Sequence, residues 1–227
     1  MFGARYSSGR RALCASTAFA VSIVGMTALS APAQAAAAPP AQLSALGTAY
    51  LQDFDTLVAS GTGTEADNTP TGWTFAESGT GANTTYTAGT GSANSGDTYS
   101  FGATAATERA LGQVRSGSVT PTLGAQFANA TGGTITSLDI AYTGEQWRLG
   151  TPARTVVQDR MDLEWSSDAT SLTTGTWTPV AALGFEAPTK TGTAGALDGN
   201  AAANQVAVSG SITGIEVPAA GSLWIRW

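Results

Sequence analysis

The densest group of polar and aromatic side chains in the sequence is the tetrapeptide EQWR at 145–148. The indole of Trp147 could stack on a sugar ring, while Glu145 and Arg148 could bond the sugar hydroxyls. Tyr86, in a Gly/Thr-rich segment, would present a second ring from a loop. These four residues are therefore a candidate ligand site. The alternative, which we favour, is structural: Trp147 packs in the core, and Glu145 pairs with Arg148 or with an arginine of another strand.

Carboxylates are the remaining candidates for catalysis, because the sequence has no histidine and its single cysteine is Cys14. Ser-His-Asp, Cys-His and His-ligated metal mechanisms are thereby excluded within this chain. A glycoside hydrolase needs two carboxylates roughly 5–10 Å apart, and Asp162 and Glu164 have a suitable spacing on one strand face. Arg160 lies on the same face, so we expect a hydrated face with an ion pair rather than a catalytic pair.

Acidic turns are candidates for a structural calcium, the single cofactor that the sequence indicates. Calcium prefers carboxylate and carbonyl oxygens. Asp53, Asp55 and Asp198 could supply such oxygens. None of them lies in a complete ligand loop, and Asp beside Gly or Asn is also typical of an ordinary turn. Both interpretations stay open at this point.

Short strands must position these side chains, because no stretch shows sustained helical periodicity. Apolar residues alternate strictly with polar or exposed ones in 138–142, 160–165, 206–212 and 223–227. This period of two is typical of a strand that packs one face against the core and exposes the other to solvent. Weaker strand candidates are 53–58, 72–76, 84–87, 98–101 and 125–130. Gly/Thr/Ser/Asn turns separate these runs. The pattern predicts an all-β fold, an antiparallel jelly-roll-like β-sandwich.

The N-terminal stretch 1–35 is typical of an export signal. Three arginines precede an apolar run at 12–29, and Ala33-Gln34-Ala35 is a small-x-small cleavage site. A membrane anchor is the alternative, since the run is just long enough to span. We favour cleavage near Ala35, and therefore a secreted protein with no stable membrane anchor. The export route, Sec or twin-arginine, stays open.

Removing the signal changes the charge of the chain. The net charge of −6 becomes −9, because three basic residues and no acidic ones lie in 1–35. Cys14 is lost as well, so the mature protein has no thiol. The acidity argues against a nucleic-acid-binding surface. We expect a flexible leader at 36–50 and one β-sandwich domain at 51–227, and the excess of Arg over Lys indicates a GC-rich bacterial source.

Several motifs resemble those of a known module. They are DFDTL at 53–57, PTGWTF at 70–75, TYTAGTG at 85–91, GDTYSFG at 96–102, ERALG at 108–112 and SLDIAYTGEQWR at 137–148. They resemble the N-terminal β-sandwich module of large secreted bacterial proteins, which often precedes lamin-tail-like or extracellular endonuclease/exonuclease/phosphatase domains. In those relatives the strand matching 223–227 runs on into a turn and a last strand. The resemblance therefore implies an incomplete sandwich, the N-terminal fragment of a larger protein.

Together these observations predict a secreted, non-catalytic accessory or binding module. Its partners would be an extracellular glycan or the downstream domains of the parent protein, with no nucleic acid bound by the module itself. One alternative is a stand-alone lectin-like domain using Trp147 and the loop around Tyr86. A second alternative is a carboxylate-only glycoside hydrolase built on Asp162 and Glu164.

Overall fold

The structure is a computed structural model that describes residues 39–150 and 159–227; the predicted signal at 1–35, with Cys14, lies outside them. The described part contains one short helix, α1 (Glu65–Asn68), and two 3-10 turns, Ala181–Leu183 and Ala202–Asn204. None of its helices has the length and apolarity needed to cross a membrane. The strands are β1 (Ala41–Leu43), β2 (Thr62–Thr64), β3 (Trp73–Ser78), β4 (Thr85–Gly89), β5 (Asp97–Phe101), β6 (Ala110–Val114), β7 (Thr120–Asn129), β8 (Ile135–Glu145), β9 (Arg148–Leu149), β10 (Arg160–Met161), β11 (Glu164–Ser166), β12 (Thr178–Pro179), β13 (Phe185–Glu186), β14 (Gly195–Ala196), β15 (Gln205–Val217) and β16 (Ser222–Arg226). The protein is therefore all-β, as the sequence predicts.

The main sheet is built around β7. Strand β16 runs antiparallel along one edge of β7, followed by β11 and β12. Strands β3 (antiparallel) and β1 (parallel) share the other edge. Leu123, Ala125 and Phe127 of β7 alternate along the strand and are all buried, as are Leu223 and Ile225 of β16. This period of two gives the main sheet its apolar inner face.

Two larger groups of strands pack with the main sheet, and the short pairs β9–β14 and β10–β13 lie outside these groups. Strands β8 and β15 form a long antiparallel pair in which Leu138 lies opposite Ile212. A four-stranded sheet has the order β2-β4-β5-β6, and its β4 and β5 are parallel. Inner residues of all three groups, among them Phe127, Leu138 and Tyr86, belong to one core cluster. The molecule therefore has the layered, sandwich-like character of two-sheet β proteins.

Three local expectations about strands differ from the structure. The stretch 53–58 is not a strand, because Phe54 has a left-handed φ of 68° and Asp53 Oδ1 accepts the N–H of Asp55 in a turn. The stretch 160–165 is divided: β10 pairs with β13, whereas β11 pairs with β16. Residues 41–43, expected in a flexible leader, form β1 against β7.

A fourth difference concerns the outer face of the main sheet. The alternation at 223–227 predicts that Trp224 faces solvent, opposite Leu223 and Ile225, yet Trp224 is 6% exposed. It packs with Ala169 and Leu172, and with the partly buried Trp177, in a separate cluster. The segment between β11 and β12 thus covers this side of β16. Alternation within one strand cannot show that a distant segment shields its outer face.

Candidate binding site

The turn between β8 and β9 positions the tetrapeptide at 145–148. Gln146 anchors this turn. Its Oε1 accepts the N–H of Thr189 at 2.8 Å, and its Nε2 donates to the Thr189 carbonyl at 2.9 Å. Its own N–H donates to the carbonyl of Asn204 at 2.8 Å. These bonds tie the end of β8 to two later loops, so the neighbouring side chains are held in fixed directions.

The Trp147 ring is enclosed rather than presented to solvent. The residue is 5% exposed. Its ring stacks on that of Phe101 at a centroid distance of 6.1 Å, and Phe101 stacks on Tyr99 at 5.0 Å. A Cβ at Gly199 would lie 2.3 Å from the indole, so the backbone there approaches the ring very closely. The packed ring agrees with the structural alternative for Trp147 and offers no open platform for a sugar.

Glu145 has an indole rather than an arginine as its partner. Trp147 Nε1 donates to Glu145 Oε2 at 2.9 Å. Burial raises the pKa of Glu145 above its ordinary value, the hydrogen bond from Trp147 opposes this, and the nearby carboxylates of Glu108 and Asp198 raise the pKa further. Glu108 in turn accepts a hydrogen bond from Asn200 Nδ2 at 2.7 Å. The surroundings of Glu145 are therefore acidic as well as partly buried.

Arg148 holds the loop that follows β4. Its Nη1 donates to the carbonyls of Gly91 at 3.0 Å and Ser92 at 2.9 Å. Gly91 has a φ of 79°, and a Cβ there would lie 1.7 Å from the Trp147 carbonyl oxygen. Only glycine fits this close approach. The guanidinium thus joins the start of β9 to the loop that follows β4.

Tyr86 lies on the opposite side of the four-stranded sheet from Trp147. It is 0% exposed and pairs with Thr98 in the register of β4 and β5. Successive side chains alternate between faces, so Thr98 and Tyr86 share one face, while Tyr99 and Phe101, which leads to Trp147, share the other. The structure therefore does not bring Tyr86 to the other three predicted residues. Tyr86 is the buried residue of strand β4, whereas the ligand-site hypothesis needed it in an exposed loop.

The two carboxylates considered for hydrolysis belong to separate ion pairs. Asp162 pairs with Arg160 on the surface. Glu164 Oε2 accepts from Arg226 Nε at 2.7 Å and lies 2.6 Å from its Nη2. The first pair is local, whereas the second joins β11 to β16. Both carboxylates thus contact arginines rather than each other.

The predicted calcium ligands each accept a backbone hydrogen bond. Asp53 Oδ1 accepts from Asp55, Asp55 Oδ1 from the N–H of Arg109, and Asp198 Oδ1 from Asn200. Within residues 39–150 and 159–227, no group of three or more His, Cys, Asp or Glu side chains is placed to hold a metal ion. The calcium site stays a prediction.

Arg109 is a buried cation whose partner the sequence does not reveal. It is 2% exposed; its Nε donates to Ser100 Oγ at 2.8 Å, and its Nη2 donates to the Ser100 carbonyl. Burial lowers the pKa of Arg109, and the charge of Glu108 opposes that shift. The two residues meet because β5 pairs with β6, and a lone serine in a Ser/Thr-rich strand carries no local signal of that contact.

No family model, curated protein or solved structure matches the chain. The fold and these contacts define an all-β, sandwich-like domain. The likeness to N-terminal modules of secreted bacterial proteins stays a prediction from the motifs.

Proposed function

We propose that this chain is a secreted, non-catalytic module with a jelly-roll-like sandwich, acting as a binding or spacing domain at the N-terminal end of a larger extracellular bacterial protein. The observation that supports it best is that the charged side chains of the candidate sites connect structural elements. Arg148 bonds the loop after β4, and Arg226 joins Glu164 across two strands. Such side chains rigidify a scaffold, which suits a module that holds a ligand or a neighbour.

The composition supports the same proposal. Beyond residue 35 the sequence contains neither histidine nor cysteine, so the commonest general base and the commonest soft nucleophile are both missing. Carboxylates are then the main catalytic groups left. The acidic charge favours a neutral or cationic partner over a nucleic acid.

A hydrolase assay tests the proposal against its catalytic alternative. The mature domain, residues 36–227, is purified and given polysaccharides and phosphodiesters, in parallel with Glu164→Gln. We expect no turnover above the background of a mock purification in either sample. Polysaccharide turnover by the parent domain that Glu164→Gln abolishes, in a variant whose circular dichroism spectrum matches that of the parent domain, would establish the glycoside-hydrolase alternative. Glu186→Gln is the matched control, because its carboxylate forms a more exposed pair with Lys190 at 3.8 Å.

Export needs a separate experiment on the full chain, which includes the predicted signal at 1–35. Expression of the full chain in a bacterial host should release a protein whose N-terminus is Ala36, as measured by N-terminal sequencing of the medium. Retention of the uncleaved chain in the membrane fraction would support the anchor alternative.

A further inference from the structure

A shallow cavity lies where the segment 50–54 crosses Trp73 of β3 and Ala141 of β8. Its volume is about 340 Å³, at the lower end of the roughly 300–1,000 Å³ typical of small-molecule sites. The cavity is separate from the cluster around Trp147. We call it the Tyr50 cavity. Besides Ala141, the residues that line it are Tyr50, Leu51, Gln52, Asp53, Phe54 and Trp73.

Aromatic contacts hold the walls of the Tyr50 cavity. Trp73 Nε1 donates to the Tyr50 hydroxyl at 3.1 Å, and that hydroxyl donates to Gln52 Oε1 at 3.0 Å. The Tyr50 ring meets Phe127 edge-on at 5.4 Å, and the Phe54 ring meets Trp73 edge-on at 4.6 Å. These contacts organise the site before any ligand arrives, which lowers the entropic cost of binding.

Two polar side chains at the cavity keep hydrogen-bonding capacity. Gln52 uses its Oε1 to accept from Tyr50, and its Nε2 has no hydrogen bond within the described part of the chain. Asp53 Oδ1 accepts from Asp55, while Oδ2 has no such bond there. A hydroxyl group both donates and accepts, so an amide N–H beside a carboxylate oxygen complements neighbouring hydroxyls.

The apolar part of the rim is unusual for this protein. Leu51 is 69% exposed. Among residues 39–150 and 159–227 it is the single large hydrophobic residue whose side chain is exposed. Beside it, Phe54 has a φ of 68°, a left-handed conformation that bulky residues rarely adopt. Strained residues of this kind persist only where surrounding contacts stabilise them, and they are concentrated at ligand sites. Here the conformation places the Phe54 ring against Trp73.

We propose that the Tyr50 cavity binds one neutral sugar unit. Leu51 and Phe54 pack against its C–H face, while Gln52 Nε2 and the Asp53 carboxylate bond its hydroxyls. The described lining contains no Lys or Arg, and Asp53 adds negative charge, so phosphates, sulfates and uronic acids are disfavoured. The inference rests on the proposed function, because it names the ligand class of that binding module.

Sugar binding to the mature domain tests the inference. Calorimetry with glucose, galactose, mannose and their neutral disaccharides is performed on the parent domain and on Gln52→Glu, which keeps the oxygen that accepts from Tyr50 but removes both amide donors. We expect at least one sugar to bind, and Gln52→Glu to bind it roughly tenfold more weakly or worse. Leu51→Ala, a truncation of an exposed side chain, should also weaken binding without affecting the fold.

The matched control is Gln42→Glu on β1, where an exposed glutamine bonds the Pro40 carbonyl outside the cavity. It should bind like the parent domain. Absence of binding by every sugar, or equal binding by Gln52→Glu and the parent domain, would overturn the inference and leave the spacing role intact. Release of hydrolysed sugar would instead contradict the non-catalytic function, whether or not the cavity is the site.

Discussion

Arg226 of β16 contacts Glu164 of β11 and the Trp177 ring with the same guanidinium group. The carboxylate oxygen Oε2 is 2.7 Å from Nε, and the ring centroid is 3.9 Å from the guanidinium carbon. Nη1 also donates to the carbonyl of Leu172. One side chain thus joins two strands of the main sheet to the segment that covers Trp224.

Arg226→Lys should destabilise the domain by about 1–2 kcal/mol, because a lysine reproduces neither the planar fork nor the stacking on Trp177. Urea unfolding followed by tryptophan fluorescence measures the change. Asp162→Asn is the control: it breaks the exposed pair with Arg160 and should cost no more than about 0.5 kcal/mol. Equal costs for the two variants would contradict the structural role of Arg226.

Glu145→Gln should change how stability depends on pH. The folded-state pKa of Glu145 is raised above 4.5, so the folded protein binds this proton more tightly than the unfolded chain does. The resulting stabilisation is complete at acidic pH and is lost as pH rises through the ordinary value and then the folded value. Relative to the parent domain, Glu145→Gln should therefore gain stability between about pH 4 and pH 7.

Thermal melts across that pH range measure the difference. Glu186→Gln, which changes one exposed carboxylate to an amide, is the control. Identical pH profiles for the two variants would show that burial beside Trp147 does not penalise the charged form of Glu145.

Ser100→Ala should cost about 2 kcal/mol although it removes a single oxygen. Ser100 Oγ accepts from the buried Arg109 and donates to the Val58 carbonyl at 2.9 Å, so a buried guanidinium and a partly buried carbonyl would each lose a partner. Ser78→Ala is the control, since its hydroxyl bonds the Thr120 carbonyl on the exposed surface and should cost within roughly 0.5 kcal/mol. Denaturant midpoints compare them, and a neutral Ser100→Ala would contradict the buried network.

Three glycine-to-alanine substitutions should differ in how much they lower the free energy of unfolding, according to the backbone φ and the space around each glycine. Gly91→Ala combines a positive φ with a clash against the Trp147 carbonyl and should cost more than about 2 kcal/mol. Gly214→Ala has a positive φ of 71° but open space, so about 1 kcal/mol is expected. Gly117→Ala has open space without a positive φ and should be near neutral. A different order in thermal melts would contradict the loop geometry beside Trp147.

The strands of the core could be predicted from local pattern because one face of each packs inward. Strict alternation at 138–142 and 223–227 identifies parts of β8 and β16, and Leu138 and Ile225 are indeed buried. The stretch 160–165 alternates equally well, yet partners from other parts of the chain divide it into β10 and β11. A local pattern shows that a strand is favoured but not where its pairing stops.

The sequence predicts the character of the candidate site less well than it predicts the core strands. Its dense polar stretch was visible, but the residues that determine its character, Phe101 stacked on Trp147 and Gly199 against the ring, are distant in the chain. The Tyr50 cavity could not be predicted from the sequence for a different reason. The left-handed backbone at Phe54 turns a stretch expected to be a strand into a curved segment over Trp73.

Residues 146–204 separate β8 from its partner β15, although Leu138 and Ile212 lie directly opposite each other. Because the chain is synthesised from its N-terminus, β8 is made well before β15. Contacts between segments so far apart in the sequence also form slowly. The apolar residues of β8 therefore have no cross-strand neighbours until residues 205–217 have been synthesised. During that interval the chain is most exposed to chaperones and proteases, and a product that ended before residue 205 would never acquire this pairing.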